Sequence, residues 1–185
     1  MSNEKWSLNT LVGRLAEAKV LCIGDIMLDK FVYGEVDRIS PEAPIPVLKT
    51  KSDKLLLGGA GNVANNLSCL GAETHFISVI GNDPTGKTIT ELIKKIPNIA
   101  ANLIIDEKRP TTMKTRFIAS GQQMMRVDDE TTLNVDHLIE SNIIDLTESA
   151  LDKCGALVIA DYGKGVLTRF LLKQIIKLAK LRKIP

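Results

Sequence analysis

The sequence predicts an α/β fold, an open and mostly parallel sheet flanked by helices, with a small β accessory element attached. Three observations point there. Short apolar runs at 19–23, 74–80, 99–105 and 156–160 suit strands buried on both faces. Helical patterns alternate with those runs in a βαβα order. Two stretches, 31–57 and 111–128, break the alternation with β-forming residues.

Leu8, Leu11, Val12, Leu15 and Ala16 recur at helical spacing, so residues 8–18 read as an amphipathic helix. The run 19–23 is the first strand, ending in Gly24-Asp25. Short β pieces at 31–33 and 46–48 flank Ser40-Pro41-Glu42-Ala43-Pro44-Ile45-Pro46, where proline forbids a helix. Gly58-Gly59-Ala60-Gly61-Asn62 opens a helix with Val63, Leu67 and Leu70 on one face and Gly71 as its stop. After the strand 74–80, Asp83-Pro84 is an N-cap and N1 pair for a helix to about Lys95. A strand at 99–105 precedes two more, 111–118 and 122–128, joined at Ser120-Gly121 as a hairpin. Residues 135–151 are helical, 156–160 a strand, and Thr168 caps a last helix through about Leu181.

The last helix carries Leu171, Ile175 and Leu178, and runs into Arg182-Lys183-Ile184-Pro185 with no strand after it for that face to pack beside. A crossover helix normally returns the chain to a parallel strand. Periodicity leaves two readings, a terminal helix or a domain cut in mid-motif.

Composition narrows the functional classes. In 185 residues, 44% hydrophobic and 25% charged content excludes bulk disorder. A net charge of +2 gives no electrostatic case for nucleic acid or an anionic membrane. No window nears the roughly 18 apolar residues of a membrane span, and Met1 to Trp6 lacks a signal-peptide core. The cysteines, Cys22, Cys69 and Cys154, fit neither a disulfide framework nor a metal knuckle. Cys22 and Cys154 read as buried thiols, and a cytoplasmic location is expected. His75 and His137 are too isolated for a zinc site or a Ser-His triad.

Gly81-Asn82-Asp83-Pro84-Thr85-Gly86-Lys87-Thr88 matches the phosphate-binding P-loop pattern between a predicted strand and helix. The acid after the apolar strand 157–160, Asp161, would suit a second NTPase motif. The chemistry argues against it. A P-loop points backbone N–H groups at phosphate, whereas Pro84 has none and Asp83 adds a negative charge. An ordinary capped helix is the favoured reading, with a P-loop-type NTPase retained as an alternative.

The cluster Gly58-Gly59-Ala60-Gly61-Asn62 is more informative, because glycines before a helix let backbone approach a ligand closely. It stands in a series with Gly24-Asp25-Ile26-Met27-Leu28-Asp29, Arg38-Ile39-Ser40-Pro41-Glu42-Ala43-Pro44-Ile45-Pro46-Val47-Leu48, and Gly81-x-Asp83-x-x-Gly86. Arg109-Pro110-Thr111-Thr112-Met113-Lys114-Thr115-Arg116, Gln122-Gln123-Met124-Met125-Arg126-Val127-Asp128 and Asp161-Tyr162-Gly163-Lys164-Gly165 continue it. The series resembles the ribokinase (PfkB) family of carbohydrate kinases over nearly the whole chain. Within that family it looks like the N-terminal part of the kinases acting on D-glycero-β-D-manno-heptose 7-phosphate.

The resemblance implies a ribokinase-like sheet with a β lid over the sugar, from segments near 31–51 and 110–127, and one partial kinase domain over 1–185. It implies ATP and Mg2+ for the full-length kinase, a sugar-phosphate substrate, a homodimer through the lid and a place in ADP-heptose and lipopolysaccharide core synthesis. By matched position Asp29 accepts hydrogen bonds from sugar hydroxyls, where a charged acceptor is worth more than a neutral one. Gly58, Gly59 and Asn62 line the sugar pocket. Of the lid cations Arg109, Lys114, Arg116 and Arg126, one or two of the last three would clamp a sugar phosphate. Asp161 and Lys164 follow a strand's C-terminal end, where open α/β sheets bind ligands, and Lys164 is a phosphate contact.

The sequence departs from the family at one point. The family's catalytic Asp lies in a Gly-Ala-Gly-Asp motif, and no such motif occurs here. By the resemblance it is expected beyond Pro185, so no catalytic residue is assigned within the chain. The expectation is a chain with the sugar side and lid but without the base and nucleotide site, inactive alone and binding neither ATP nor Mg2+ tightly. A third possibility is a non-catalytic fragment that binds sugar or dimerises.

Overall fold

A computed structural model describes residues 8–185, with the side chains of Leu8, Asn9 and Leu11 outside the description. Met1 to Trp6 lies outside the described residues. The elements are α1 (Leu8–Arg14), β1 (Lys19–Gly24), β2 (Ile26–Ile39), β3 (Pro46–Gly59), α2 (Ala60–Cys69), β4 (Glu73–Gly81), α3 (Pro84–Ile93) and β5 (Ile99–Asp106). They continue with β6 (Met113–Ala119), β7 (Gln122–Asp129), α4 (His137–Leu151), β8 (Ala156–Ala160) and α5 (Arg169–Leu181). The fold is mixed α/β, with a mostly parallel central sheet flanked by helices, as the pattern predicts.

The central sheet has the order β5-β4-β1-β8, and each of its neighbouring pairs is parallel. β1 lies between β4 and β8, which is why five of its six residues are buried. Its alternate side chains serve two cores. Leu21 and Ile23 join Ile77 and Val79 under α4 and α5. Cys22 joins Phe76, Ile80 and Ala64 under α2 and α3. Burial pushes the Cys22 thiol up to about 12, so it is an inert core group.

The second sheet has the order β3-β2-β6-β7. β2 pairs antiparallel with β3 and parallel with β6, and β6 pairs antiparallel with β7. The sequence suggested short pieces at 31–33 and 46–48; β2 and β3 are each 14 residues long. Their mutual ladder supplies pairing that alternation alone does not reveal. The Ser40–Pro46 connection closes with Ser40 N donating to Ile45 O at 2.8 Å. Ser120 and Gly121 both take positive φ, the requirement of a tight type I′ hairpin.

Several expectations need correction. α1 ends at Arg14 and continues as a 3-10 turn, Leu15–Glu17, and the described apolar side chains Val12 and Leu15 stay exposed. α2 buries its small residues Ala60, Gly61, Ala64 and Ser68, while Leu70 is exposed, because the helix packs close to the sheet. α3 ends at Ile93, not Lys95. α4 starts at His137, after the Asp136 cap, leaving Val135 buried outside the helix. The face of α5 is not without a partner: Leu171 and Ile175 are fully buried in the core with α4, and Leu178 packs against it. Nor do the residues after α5 lead away from the sheet. Ile184 packs on the same core, and the Pro185 carbonyl accepts from Leu157 N of β8 at 3.0 Å, the start of a contact along the edge of β8 that β1 does not use.

One buried carboxylate joins these parts. Asp25 is 1% exposed and accepts from three backbone N–H groups, Tyr162 at 2.8 Å, Lys164 at 3.3 Å and Val166 at 3.1 Å. Its own carbonyl accepts from Ala60 N, the first residue of α2. Gly59 reaches that position with φ +56, and a Cβ there would strike the Asp25 carbonyl.

Asp25→Ala strands three N–H groups, each bound to a charged acceptor, and is expected to cost at least about 3 kcal/mol. Urea unfolding followed by circular dichroism measures this, with Asp25→Asn falling between wild type and alanine. An unchanged midpoint would show that Asp25 does not anchor the 161–166 loop.

Candidate functional site

The pairing register fixes which side chains share a face. Asp29 on β2 stands opposite Leu56 on β3 and Lys114 on β6, and Lys114 stands opposite Asp128 on β7. Two residues along, Phe31 aligns with Arg116, and Arg116 with Arg126. Strand residues aligned in this way point to one side of the sheet. Asp29, Lys114, Arg116 and Arg126, scattered over nearly 100 residues of sequence, thus lie on one surface.

On the β3 side of Asp29 is an open cleft of about 470 Å³. Asp29, Phe31, Asn62 and Asn65 give it polar and aromatic edges, and Leu56, Leu92 and Ile96 make it largely apolar. Gly58 does not line the cleft. It is buried beside the acid, where a Cβ would collide with the Asp29 carboxylate. Gly59 turns the chain into α2 and leaves Asn62 exposed one turn later.

On the β6–β7 side the cations are all paired. Arg116 Nη1 donates to Asp29 Oδ1, and its guanidinium lies 5.1 Å from the centre of the Phe31 ring. Lys114 Nζ donates to Asp128 Oδ2 and Glu130 Oε2, both at 2.7 Å. Lys164 Nζ donates to Glu130 Oε1 at 2.8 Å, and Arg126 Nε to Asp128 Oδ1 at 2.8 Å. Asp161 is exposed and only accepts from Gly163 N, so it stays outside this network.

Charge states follow from these contacts. Burial works against the Lys114 ammonium, but Asp128 and Glu130 outweigh it and raise its pKa above the ordinary lysine value. Hydrogen bonds from Lys114, then Lys164, hold the Glu130 carboxyl below the usual range. Lys114, with Arg126 behind it, does the same to Asp128.

Below the network lies a buried strut. Arg109 pairs with Asp106 at 3.1 Å and donates to the carbonyls of Lys164 at 3.1 Å and Leu133 at 2.6 Å. With side chains only 8% and 10% exposed, the pair acts as scaffold and is closed to ligand.

The turn at 81–88 is fully committed to its own fold. Gly81 N donates to Thr111 Oγ1, Gly86 N to Asp83 Oδ1, Lys87 N to Asp83 O, and Thr111 N to Asp83 Oδ2. Burial opposes the charge on Asp83, but the N–H groups of Thr111 and Gly86 overcome it and lower its pKa. The N–H groups of Gly81, Gly86 and Lys87 are occupied and Pro84 has none, which makes this a helix cap rather than a phosphate cradle.

A family model, pfkB family carbohydrate kinase, matches residues 17–185. The chain belongs to the pfkB family of carbohydrate kinases. Among its relatives, the "Bifunctional protein HldE" of Paramagnetospirillum magneticum is 46% identical over 176 residues, covering 94% of this chain and 36% of the relative. The protein of the same name from Granulibacter bethesdensis is 43% identical, covering 92% of this chain and 35% of its own length. The chain therefore spans about a third of the curated relatives it matches. Among solved pfkB-like structures, a carbohydrate kinase from Agrobacterium tumefaciens superposes with a TM-score of 0.64 at 23% identity, over 91% of this chain and 52% of its own. A ribokinase from Giardia lamblia gives 0.60 at 22% identity, over 89% and 48%. These similarities establish the fold. The matched residues include all eight strands of this chain.

Sequence reasoning missed Glu130, Asp128 and Asp25. The first two were within reach: Arg126 and Asp128 share one face of β7 at period two, and Glu130 continues that spacing just past the strand's end. Asp25 carried no such signal, because its partners lie more than 130 residues away. Among the described residues no helix is long and apolar enough to cross a membrane.

The Glu130 contacts stabilise the fold only while its carboxyl is ionised. Its pKa is depressed from 4.5, so the contribution is present above that value and is lost as pH falls through the lower folded one. Relative to Glu130→Gln, wild type is expected to gain about 1 kcal/mol at pH 7, as partly exposed networks do. Denaturation from pH 7 to pH 3 should show the gap closing below about pH 4.5. A gap independent of pH would refute the ionic account.

Proposed function

We propose that this chain forms the sugar side of an ATP-dependent kinase that phosphorylates D-glycero-β-D-manno-heptose 7-phosphate at its anomeric 1-hydroxyl, supplying ADP-heptose and lipopolysaccharide core synthesis. The carrying observation is the position of Asp29. It stands at the seam between a 470 Å³ cleft edged by amides and a bank of cations. A sugar phosphate has the matching chemistry, hydroxyls at one end and an anion at the other. The heptose motif series and the relatives named HldE support the same substrate class.

In this reading the Asp29 carboxylate accepts from sugar hydroxyls, and the Asn62 amide both donates and accepts. The apolar wall of Leu56, Leu92 and Ile96 excludes water behind the ring. Arg116 bonds only Oδ1 of Asp29, so the carboxylate keeps lone pairs for hydroxyl donors. The remaining guanidinium N–H groups are suited to a phosphate oxygen. Gly58 and Gly59 act indirectly, by letting backbone and acid approach.

MgATP supplies the transferred phosphoryl group in kinases of this kind. This chain's own residues do not fit that group. No Gly-Ala-Gly-Asp occurs in the sequence. Among the described residues no three His, Cys, Asp or Glu side chains cluster to hold a metal, and the N–H groups of Gly81, Gly86 and Lys87 in the 81–88 turn are engaged. We assign the base and the nucleotide site to parts of a whole kinase other than the residues described. The relatives named HldE, of which this chain covers 36% and 35%, leave room for such parts.

Homodimerisation through the β3-β2-β6-β7 sheet is part of the proposal. β7 is exposed along its whole length, and Met124, Met125 and Val127 are each about half exposed on this edge strand. Sedimentation equilibrium is expected to give a dimer for the wild-type chain and a monomer for Met125→Glu. A monomeric wild type would remove this part of the reading.

Titration calorimetry with heptose 7-phosphate should show binding that Asp29→Asn weakens at least about tenfold, the effect of losing a charged hydrogen-bond acceptor. ADP release should be absent from this chain and sugar-dependent in the whole gene product. Lys87→Ala is expected to leave both assays unchanged. A whole gene product that does not phosphorylate heptose 7-phosphate overturns the substrate, and loss of nucleotide binding in Lys87→Ala would favour the NTPase reading.

A further inference from the structure

Glu130 is a charged group at the seam whose presence the sugar-side geometry does not explain. It follows β7 directly, in a stretch without regular structure that runs to Asp136. Its two oxygens go to two different ammonium groups, Oε2 to Lys114 Nζ at 2.7 Å and Oε1 to Lys164 Nζ at 2.8 Å. The two lysines come from separate parts of the fold, β6 and the loop after β8.

The backbones of both lysines are held without Glu130, and Lys114 Nζ keeps Asp128 as a second partner. Lys114 sits within β6, with Asp29 opposite on one side and Asp128 on the other. The backbone of Lys164 is tied at both ends, its N–H to Asp25 Oδ2 at 3.3 Å and its carbonyl to Arg109 Nη1 at 3.1 Å. The lysine side chains are only 13% and 16% exposed. Two half-secluded ammonium groups about one anion are arranged as a receptor for an oxyanion. The carboxylate between them stands outside any helix or strand, and its side chain is 24% exposed, so it can turn toward solvent by side-chain rotation.

The charge count agrees. Lys114, Lys164, Arg116 and Arg126 face Asp29, Asp128 and Glu130, four cations against three carboxylates. With Glu130 in place the excess is one positive charge, and with Glu130 withdrawn it is two. A phosphate monoester carries roughly −1.5 to −2 near neutral pH, which the second value matches.

We propose that Lys114 and Lys164 form the subsite for the phosphate of a phosphorylated sugar, and that Glu130 is an internal anion holding that subsite until the ligand displaces it. This rests on the sugar-phosphate reading above and adds a competitor to it. Phosphate and Glu130 exclude each other at the same pair of ammonium groups. Ligand binding therefore also releases the Glu130 side chain from the β8 loop, while Val135 N to Gly165 O and Arg109 Nη2 to Leu133 O keep the rest of the segment after β7 in place.

The test is calorimetry at fixed ionic strength on wild type, Glu130→Gln and Glu130→Gln/Lys164→Met, with inorganic phosphate and then heptose 7-phosphate as probes. Glu107→Gln, whose parent side chain bonds Asn82 away from the network, controls for loss of one negative charge. Glu130→Gln is expected to bind inorganic phosphate about tenfold tighter than wild type, within the usual range for coupled ligands. Adding Lys164→Met should abolish the gain, and Glu107→Gln should not reproduce it. Equal or weaker binding by Glu130→Gln, or a gain that survives Lys164→Met, overturns the proposal.

Should Glu130→Gln fail to fold by circular dichroism, wild type still decides. Under phosphate titration the Nζ resonances of Lys114 and Lys164 should move together, and shifts spread evenly over surface lysines overturn the subsite. The two readings also fail separately. If heptose 7-phosphate binds wild type and Glu130→Gln alike, the sugar reading stands and the displaced anion falls. If it binds no better than inorganic phosphate while the Glu130→Gln gain persists, the subsite stands and the sugar reading falls.

Discussion

Asp25 sits where β1 ends and the two sheets separate, and its hydrogen bonds set the spacing of everything around it. Its carboxylate collects three N–H groups of the 162–166 loop, and its carbonyl receives the first N–H of α2. A buried carboxylate without partners costs several kcal/mol, so this one tolerates little displacement of the loop. The backbone of Lys164 is therefore placed by a residue 139 positions earlier. The neighbouring Ser78 hydroxyl reinforces the junction, donating to Gly24 O and accepting from Ile26 N.

From this anchor the candidate site divides into two unlike halves. Toward β3 and α2 the walls are apolar, with Asn62, Asn65 and Asp29 at the edge. Toward β6 and β7 opposite charges pair in sequence from Arg126 through Asp128, Lys114 and Glu130 to Lys164. Pairing lets cations accumulate in a half-secluded place without an unbalanced field. It also means that an incoming anion must compete with carboxylates already there, so affinity depends on the exchange and not on the number of lysines.

Much of the central sheet was legible because its signals are local. Apolar runs flanked by glycine and proline located β1, β4, β5 and β8, and Asp83 and Thr168 are caps whose side chains accept from the first turn of their helices. The second sheet was seen in pieces. Its long strands are polar and exposed over much of their length, and what makes them strands is pairing with partners as far as about 85 residues away in sequence, Leu28 with Met113 among them. The match to the P-loop pattern shows the opposite failure: a local pattern was present, but the N–H groups of its two glycines are engaged by Thr111 and Asp83.

The sequence by itself determined the α/β class, the element order, the family and the residue types available to a sugar phosphate, since these depend on periodicity, caps and short motifs. The tertiary structure alone decided which of those residues meet. The parallel alignment of β2 with β6 puts Asp29 beside Lys114 and Arg116. The Asp25 anchor brings Lys164 to the same anion as Lys114. Register and loop anchoring act across long separations, and a side chain's partners at such distances leave no periodic trace in the chain.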